Sequence, residues 1–264
     1  MKKYFFLIAS VLFILLFSSC QQNKKPSTEQ SDIVGVYQYT GNREGMSIWT
    51  DKYFVTAAKN KNEPSEVDST DFYKHAYQSL IMEAGTWTQE DSIVTCTYLF
   101  AKNPSLVGKT FRFTYTSEGD NFNYHVLNKN NERIGGGSTI RLKQSNTPND
   151  LIGVYQYTGE EEGICAMTED YFIFTGRNKN RFSMVDSTDA YINKYKSILL
   201  QAGTYTKQDS IVTSKLLFDK NPSYQGTSYR WAYSFKVKED RLAAGFVNEN
   251  GEVRGWSDYL IKME

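Results

Sequence analysis

The side chains that could carry nucleophilic or metal-binding chemistry are few in this chain of 264 residues. There are two histidines, His75 and His125, and three cysteines, Cys20, Cys96 and Cys165. Imidazole nitrogens and thiolates can bind zinc, and a cysteine beside a histidine can act as a nucleophile. The chain has no Cys-x-x-Cys pair, so any such site would have to be assembled from distant segments.

A tandem repeat organises the chain and bears on each of these candidates. The stretch GVYQYTG occupies residues 35–41 and recurs at 153–159. Aligned without a gap, residues 33–115 and 151–233 are identical at 42 of 83 positions. The copies then lose register by two residues and align again at LNKNNE and VNENGE. Repeats of this length are whole small domains, so we predict domain 1 over 32–145 and domain 2 over 149–264, each able to fold alone.

The histidines and the internal cysteines do not recur between the copies. His75 corresponds to Asn193, and Cys96 and Cys165 each correspond to a serine. A metal site or catalytic group shared by both copies is therefore excluded, and we expect surface histidines and buried free thiols. The chain is predicted to be no enzyme and to need no metal or other cofactor.

One segment combines acidic residues with apolar residues at helical spacing. Asp68 and Asp71 could contribute to a cation site, but N-capping of a helix explains both positions without a ligand. The segment DSTDFYKHAYQSLIMEAG predicts a helix over residues 68–85 that packs on the rest of the domain. Its apolar face would consist of Tyr73, Tyr77, Leu80, Ile81 and Ala84.

Most other segments alternate apolar and polar residues with a period of two, which predicts β-strands. In the strand after residue 91, this alternation makes Val94, Cys96, Tyr98 and Phe100 face inward. A later strand is aromatic at one parity in both copies. Its inward residues are the candidate ligand-binding side chains Phe111, Phe113 and Tyr115 in copy one and Tyr229, Trp231 and Tyr233 in copy two.

Small residues near the second aromatic set distinguish the two copies. Ala232, Ala243, Ala244 and Gly245 lie nearby and could leave space beside the rings. Apolar space that neighbouring side chains do not fill can accept an apolar guest. We therefore favour domain 2 over domain 1 as a ligand site.

Several motifs together resemble the lipocalin-like domains of the calycin group, notably those of bacterial lipoproteins. They are the GVY opening strand, the run into AGTW or AGTY, the DSIVT strand, and the NPSLVG or NPSYQG loop. The resemblance covers both copies and implies a mainly β fold. The implied fold consists of two tandem up-and-down β-barrels of about eight strands, each with one short helix, and it follows a signal peptide.

The same resemblance implies a contact that closes each barrel. In the family, a cation from the last strand commonly covers an aromatic ring of the first strand. The corresponding rings here are Tyr37 and Tyr155, where Trp is usual. The cation would be Arg141 in copy one and Lys262 in copy two, although Lys262 is out of register in the sequence alignment.

The N-terminal residues resemble the leader of a bacterial lipoprotein. Lys2 and Lys3 precede an apolar run over residues 4–17, which is shorter than the roughly 20 residues of a spanning helix. Small residues then precede Cys20, as in a lipobox. The resemblance implies a signal peptide over 1–19, lipidation of Cys20 and a polar tether over 20–31. We predict a membrane-anchored lipoprotein of the bacterial cell envelope, with the outer membrane favoured over the inner.

The charge balance narrows the remaining functions. Without Lys2 and Lys3, the 30 basic residues fall to 28 against 30 acidic residues, which provides no attraction for nucleic acid. Two functions remain: a lipoprotein that binds a small apolar ligand, or a non-enzymatic module of solidly packed barrels that contacts an unknown envelope protein. A cavity of ligand size would favour the first.

Overall fold

The computed structural model describes residues 32–61, 70–183, 190–236, 240–256 and 260–264. The predicted signal peptide, the tether, Cys20 and Asp68 lie outside these residues. Residues Asp32–Glu264 form one compact unit that is built mainly of β-strands.

The first repeat forms a closed antiparallel barrel of eight strands, here called barrel 1. Each strand pairs with the next, and the last strand pairs with the first, with Tyr37 opposite Arg141. The repeated GVYQYTG stretch supplies the opening strand. The strands are β1 (Gly35–Tyr39), β2 (Arg43–Trp49), β3 (Tyr53–Asn60), β4 (Leu80–Glu90), β5 (Ile93–Ala101), β6 (Thr110–Glu118), β7 (Asn121–Leu127) and β8 (Arg133–Leu142).

The second repeat forms barrel 2 with the same order of strands. Two short strands share its eighth position: both pair with the seventh, and the second of them pairs with the first strand to close the barrel. The predicted fold class of two tandem antiparallel barrels is therefore confirmed. The strands are β9 (Gly153–Tyr157), β10 (Glu161–Met167), β11 (Tyr171–Asn178), β12 (Ile198–Gln208), β13 (Ile211–Asp219), β14 (Ser228–Lys236), β15 (Arg241–Val247), β16 (Val253–Trp256) and β17 (Leu260–Lys262).

The helices differ from the prediction in length and number. The predicted helix over 68–85 is α1 (Thr70–Ser79), and its second half is instead the start of β4. Leu80 and Met82 are buried at alternate positions and pair with residues of β3. The sequence of this run fits both helical and strand periodicity, and the hydrogen bonds to β3 make it a strand. Barrel 2 has two described helices rather than one, α2 (Lys179–Ser183) and α3 (Ala190–Ser197).

A β-bulge in each barrel reverses the facing of one end of a strand. The pairing of β4 with β5 shifts between Ala84 and Gly85, and that of β12 with β13 shifts between Ala202 and Gly203. A Cβ atom on Gly85 would lie 1.9 Å from the carbonyl oxygen of Thr97, so only glycine fits there. Because of the bulge, the prediction that Phe100 faces the barrel interior is wrong, and its ring packs outside the barrel instead.

The largest cluster of buried apolar side chains lies between the two barrels and is called the interface cluster. Both barrels contribute outward-facing residues, and eight positions recur in both repeats at the same offset of the alignment. The two surfaces are thus copies of one patch, as in a two-fold symmetric dimer. The recurring pairs are Val36 and Val154, Met46 and Ile164, Ile48 and Ala166, Val55 and Ile173, Leu80 and Ile198, Met82 and Leu200, Ala84 and Ala202, and Phe100 and Phe218.

Polar contacts also join the repeats. The guanidinium of Arg177 donates hydrogen bonds to the carbonyl oxygens of Lys102 (2.9 Å) and Ala101 (3.2 Å) and pairs with Glu162 of its own barrel. The rings of Tyr73 on α1 and Tyr195 on α3 lie 5.7 Å apart, so helices of the two repeats pack on each other. Both helices therefore lie at the junction between the barrels.

Candidate functional site

One contact of the same kind joins the last strand to the first in each barrel. In barrel 1, the Nη2 atom of Arg141 donates to the hydroxyl of Tyr37 at 2.6 Å, and the guanidinium lies over the ring. In barrel 2, the Nζ atom of Lys262 lies 5.9 Å from the ring centre of Tyr155. The strand pairing sets Lys262 opposite Tyr155, as Arg141 is opposite Tyr37. Lys262 is thus out of register in the sequence alignment but in register in the barrel. The difference arises because two short strands, β16 and β17, replace the single continuous strand β8 of barrel 1.

The interior of barrel 1 contains a cavity of about 270 Å³, called cavity 1. Inward-facing rings form most of its wall, and two of the predicted ligand-binding residues, Phe111 and Phe113, are among them. The charged side chains of Arg43 and Glu83 face the same space. The aromatic residues of the wall are Tyr37, Tyr39, Trp49, Phe54, Tyr98, Phe111, Phe113, Phe122 and Tyr124.

Burial changes the pKa of the ionisable groups in cavity 1. Burial raises the pKa of the Glu83 carboxyl, and the positive charges of Arg43 and Lys102 oppose this rise. Burial also raises the pKa of the Tyr39 and Tyr124 phenols, which stay protonated as hydrogen-bond donors. The cavity therefore combines an apolar aromatic wall with a small number of convergent polar groups, which is typical of a ligand site.

The interior of barrel 2 contains a larger cavity of about 630 Å³, called cavity 2. Its wall is mainly apolar and includes Tyr229 and Trp231 of the predicted set together with Ala244 and Gly245. Arg181 and Lys196 also line it. The remaining lining residues are Tyr157, Glu161, Met167, Phe174, Asn178, Ser197, Ile198, Leu199, Gln201, Leu242, Phe246 and Leu260.

The difference in cavity size follows from substitutions between the repeats. Strand pairing sets Tyr124 and Ala244 at equivalent places, opposite Tyr115 and Tyr233. The exchange of a phenol ring for a methyl group at that place removes volume from the wall of barrel 2. Trp49 to Met167 and Phe122 to Leu242 change in the same direction, whereas Thr56 and Val126 are replaced by the rings of Phe174 and Phe246. Of the small residues predicted to leave space near the second aromatic set, Ala244 and Gly245 line cavity 2, whereas Ala232 and Ala243 do not.

Two of the six predicted ligand-binding residues line neither cavity. The ring of Tyr115 stacks on that of Phe122, and its hydroxyl donates to Gln89. The hydroxyl of Tyr233 donates to the carboxylate of Asp150 at 2.9 Å. Both tyrosines share the inward parity of their strands but lie two residues beyond the rings of Phe113 and Trp231 that line the cavities.

The two internal cysteines have the predicted surroundings, and so does one of the two histidines. Cys96 and Cys165 are buried free thiols, and burial raises the pKa of both. His75 is exposed and His125 is half-buried. Among the described residues, no group of three or more His, Cys, Asp or Glu side chains could hold a metal ion.

Sequence reasoning missed the two charged residues of cavity 1. Glu83 lies in the run LIMEAG, which fits helical spacing, and its inward position is visible only when that run forms a strand. Arg43 begins β2, just after the turn that ends the repeated GVYQYTG stretch. The signal that could have found Glu83 is a single carboxylate within an apolar run.

Comparison of the chain with protein-family models, with curated proteins and with solved structures found no match. Within the described residues, no helix combines the length and the apolar character needed to cross a membrane. The two-barrel fold is thus given by the structure, and the resemblance to lipocalin-like domains stays a prediction.

Proposed function

We propose that this protein is a ligand-binding lipoprotein whose second barrel takes up a small apolar or amphipathic molecule. The observation that supports this most strongly is cavity 2, at about 630 Å³. Binding sites for small organic molecules span roughly 300–1,000 Å³ and have mainly apolar walls with a few polar groups. Cavity 2 meets both criteria.

Two of the three charged side chains of cavity 2 are cations, which favours an amphipathic ligand with an anionic head; the third, Glu161, accepts a hydrogen bond from Asn178. Arg181 is exposed on α2, and Lys196 lies in the last turn of α3. The deeper wall contains Trp231, Leu242 and Leu260, which are buried. An alkyl chain inside the barrel would gain hydrophobic free energy of about 0.8 kcal/mol per methylene group. Its carboxylate would lie near the two cations.

The location in the cell belongs to the same proposal. Lipidation of Cys20 would attach the protein to a membrane of the bacterial envelope, and residues 20–31 would act as a flexible tether. Acyl chains on one cysteine and on the new N-terminus provide stable anchoring, since each chain alone binds a membrane only weakly. The barrels would then take up their ligand beside the membrane.

The test is a fluorescence titration of the full chain with anilinonaphthalene sulfonate, followed by displacement of the dye with palmitate. We expect saturable binding of both. Ala244→Tyr introduces the residue that barrel 1 has at the equivalent position, so it should fill cavity 2 and weaken binding at least tenfold. Trp231→Ala, which removes a wall ring, should also weaken binding.

Thr213→Tyr is the matched control, because it adds the same ring on the exposed face of barrel 2. It should bind the dye as the unchanged chain does. Equal binding by Ala244→Tyr and Thr213→Tyr would place the ligand outside cavity 2. An absence of binding in the unchanged chain would favour the other candidate, a non-enzymatic module that contacts another envelope protein.

A further inference from the structure

Cavity 1 contains two opposite charges that do not pair with each other. The guanidinium of Arg43 donates to the phenol oxygen of Tyr124 but makes no ion pair with any carboxylate of the described residues. The carboxylate of Glu83 accepts no hydrogen bond within the described part of the chain. Elsewhere in the same barrel, Lys59 and Glu44 pair at 3.0 Å.

Such an arrangement leaves both charged groups accessible from the cavity. Half-buried charges are normally paired or hydrogen-bonded, because removing them from water costs free energy that only a partner returns. Burial raises the pKa of the Glu83 carboxyl, and the positive charges of Arg43 and Lys102 offset only part of this cost. A ligand that supplied both partners would recover it.

The fold itself does not require the unpaired charges, as barrel 2 shows. The residue equivalent to Glu83 is Gln201, whose amide donates to Asp219 at 2.8 Å. The residue equivalent to Arg43 is Glu161, which accepts a hydrogen bond from Asn178 at 3.1 Å. The same barrel architecture thus exists without this pair of opposite charges, since a neutral amide replaces Glu83 and a carboxylate replaces Arg43.

The size and walls of cavity 1 limit what could join the two charges. At about 270 Å³ the cavity lies below the range of drug-sized ligands. The rings of Trp49, Phe111 and Phe113 line it, and aromatic faces attract both apolar groups and cations.

We propose that barrel 1 binds a small zwitterion with an aromatic or apolar body, its ammonium group on Glu83 and its carboxylate on Arg43. This is a second site, with a ligand class distinct from that proposed for cavity 2. A free amino acid with an aromatic side chain has the required size and charges. The hydroxyl groups of Tyr39 and Tyr124 would donate further hydrogen bonds to the carboxylate.

Isothermal titration calorimetry of the full chain tests this with three probes. L-phenylalanine carries both charges, phenethylamine carries only the ammonium group, and phenylpropionate carries only the carboxylate. We expect saturable binding of L-phenylalanine and affinities at least tenfold lower for the other two, because each leaves one buried charge without a partner. Equal affinity for a probe with a single charge would overturn the zwitterion assignment.

Two variants and one control locate the site. Glu83→Gln introduces the residue of barrel 2, and Arg43→Gln removes the guanidinium; each should lower the affinity for L-phenylalanine about tenfold or more. Glu118→Gln makes the same exchange at an exposed position of barrel 1 and should leave the affinity for L-phenylalanine unchanged. Circular dichroism and the melting temperature confirm that each variant is folded.

The result is independent of the function proposed for barrel 2. Dye binding in cavity 2 should be the same in Glu83→Gln as in the unchanged chain. No saturable heat with L-phenylalanine, or unaltered affinity in a folded Glu83→Gln variant, would overturn the proposal for barrel 1 and leave that for barrel 2 standing.

Discussion

At the scale of single residues, two lysines cap the ends of helices at the junction of the barrels. The ammonium group of Lys102 donates to the carbonyl oxygens of Tyr77 (3.0 Å) and Gln78 (2.8 Å) at the end of α1. In the second repeat, Lys220 donates to the carbonyl oxygen of Tyr195 (2.9 Å) in α3. A cation at a helix C-terminus is favourable, but burial lowers the pKa of both lysines to about 8.

These pKa values predict how the free energy of unfolding changes with pH. An unfolded lysine has a pKa near 10.5, so above about pH 8 the folded chain holds fewer protons at these residues than the unfolded chain. Stability from this source therefore rises with pH between about 8 and 10.5. Above about pH 9, the raised pKa of the buried thiols of Cys96 and Cys165 opposes the rise.

The slope of the free energy of unfolding against pH can be compared between the unchanged chain and a Lys102→Met, Lys220→Met double variant. The difference between the two slopes is the contribution of the lysines. Urea unfolding at pH 7.5, 8.25 and 9 measures it. The double variant should lose the rise in stability with pH, whatever its stability at pH 7.5. The same slope in both proteins would show that the lysines titrate at their ordinary pKa.

At the scale of elements, periodicity predicted the strands well and their ends poorly. The alternation in β6 and β14 correctly set Phe113 and Trp231 inside, because a strand of nine residues has one repeating signal. The end of α1 was missed because Leu80 and Met82 fit helical spacing and alternation equally well. The bulge that turns Phe100 outward depends on Gly85, whose effect on facing cannot be derived from a period of two.

The candidate sites depend on the same elements. The rings of cavity 2 and the small residues beside them were predictable, since both lie in strands of clear alternation. The two charged residues of cavity 1 were not, because the helical spacing around Glu83 hides its place in the barrel wall. Register at barrel closure was also beyond the sequence: the pairing of Lys262 with Tyr155 is visible only in the hydrogen-bonded ladder.

At the scale of the whole molecule, the repeat has built an internal two-fold interface. Strand alternation indicates that one face of each barrel is apolar, but it does not indicate what covers that face. In the structure each copy covers the other, through the eight recurring pairs of the interface cluster. The prediction that each half folds alone stays a prediction. The interface adds the expectation that separated halves associate with each other.

Separated halves, residues 32–145 and 149–264, should associate in solution. Each would expose its half of the interface cluster, and because the two patches are copies, each fragment should form homodimers as well as a mixed dimer. Analytical ultracentrifugation at about 50 µM should detect dimers, since burial of several aliphatic side chains favours association by kilocalories per mole. Met82→Glu in the first fragment should make it monomeric. Monomers of both unchanged fragments at that concentration would contradict the role given to the interface.

The central claim is that cavity 2 is the ligand site, and a crystal structure of the full chain with a brominated palmitate tests it most directly. Anomalous scattering locates the bromine without reliance on the shape of the density. The account predicts a peak inside barrel 2, between Trp231 and Ala244, with the carboxylate toward Arg181 and Lys196. A bromine found only on the surface, or a barrel 2 whose side chains fill the space that cavity 2 occupies here, would contradict it.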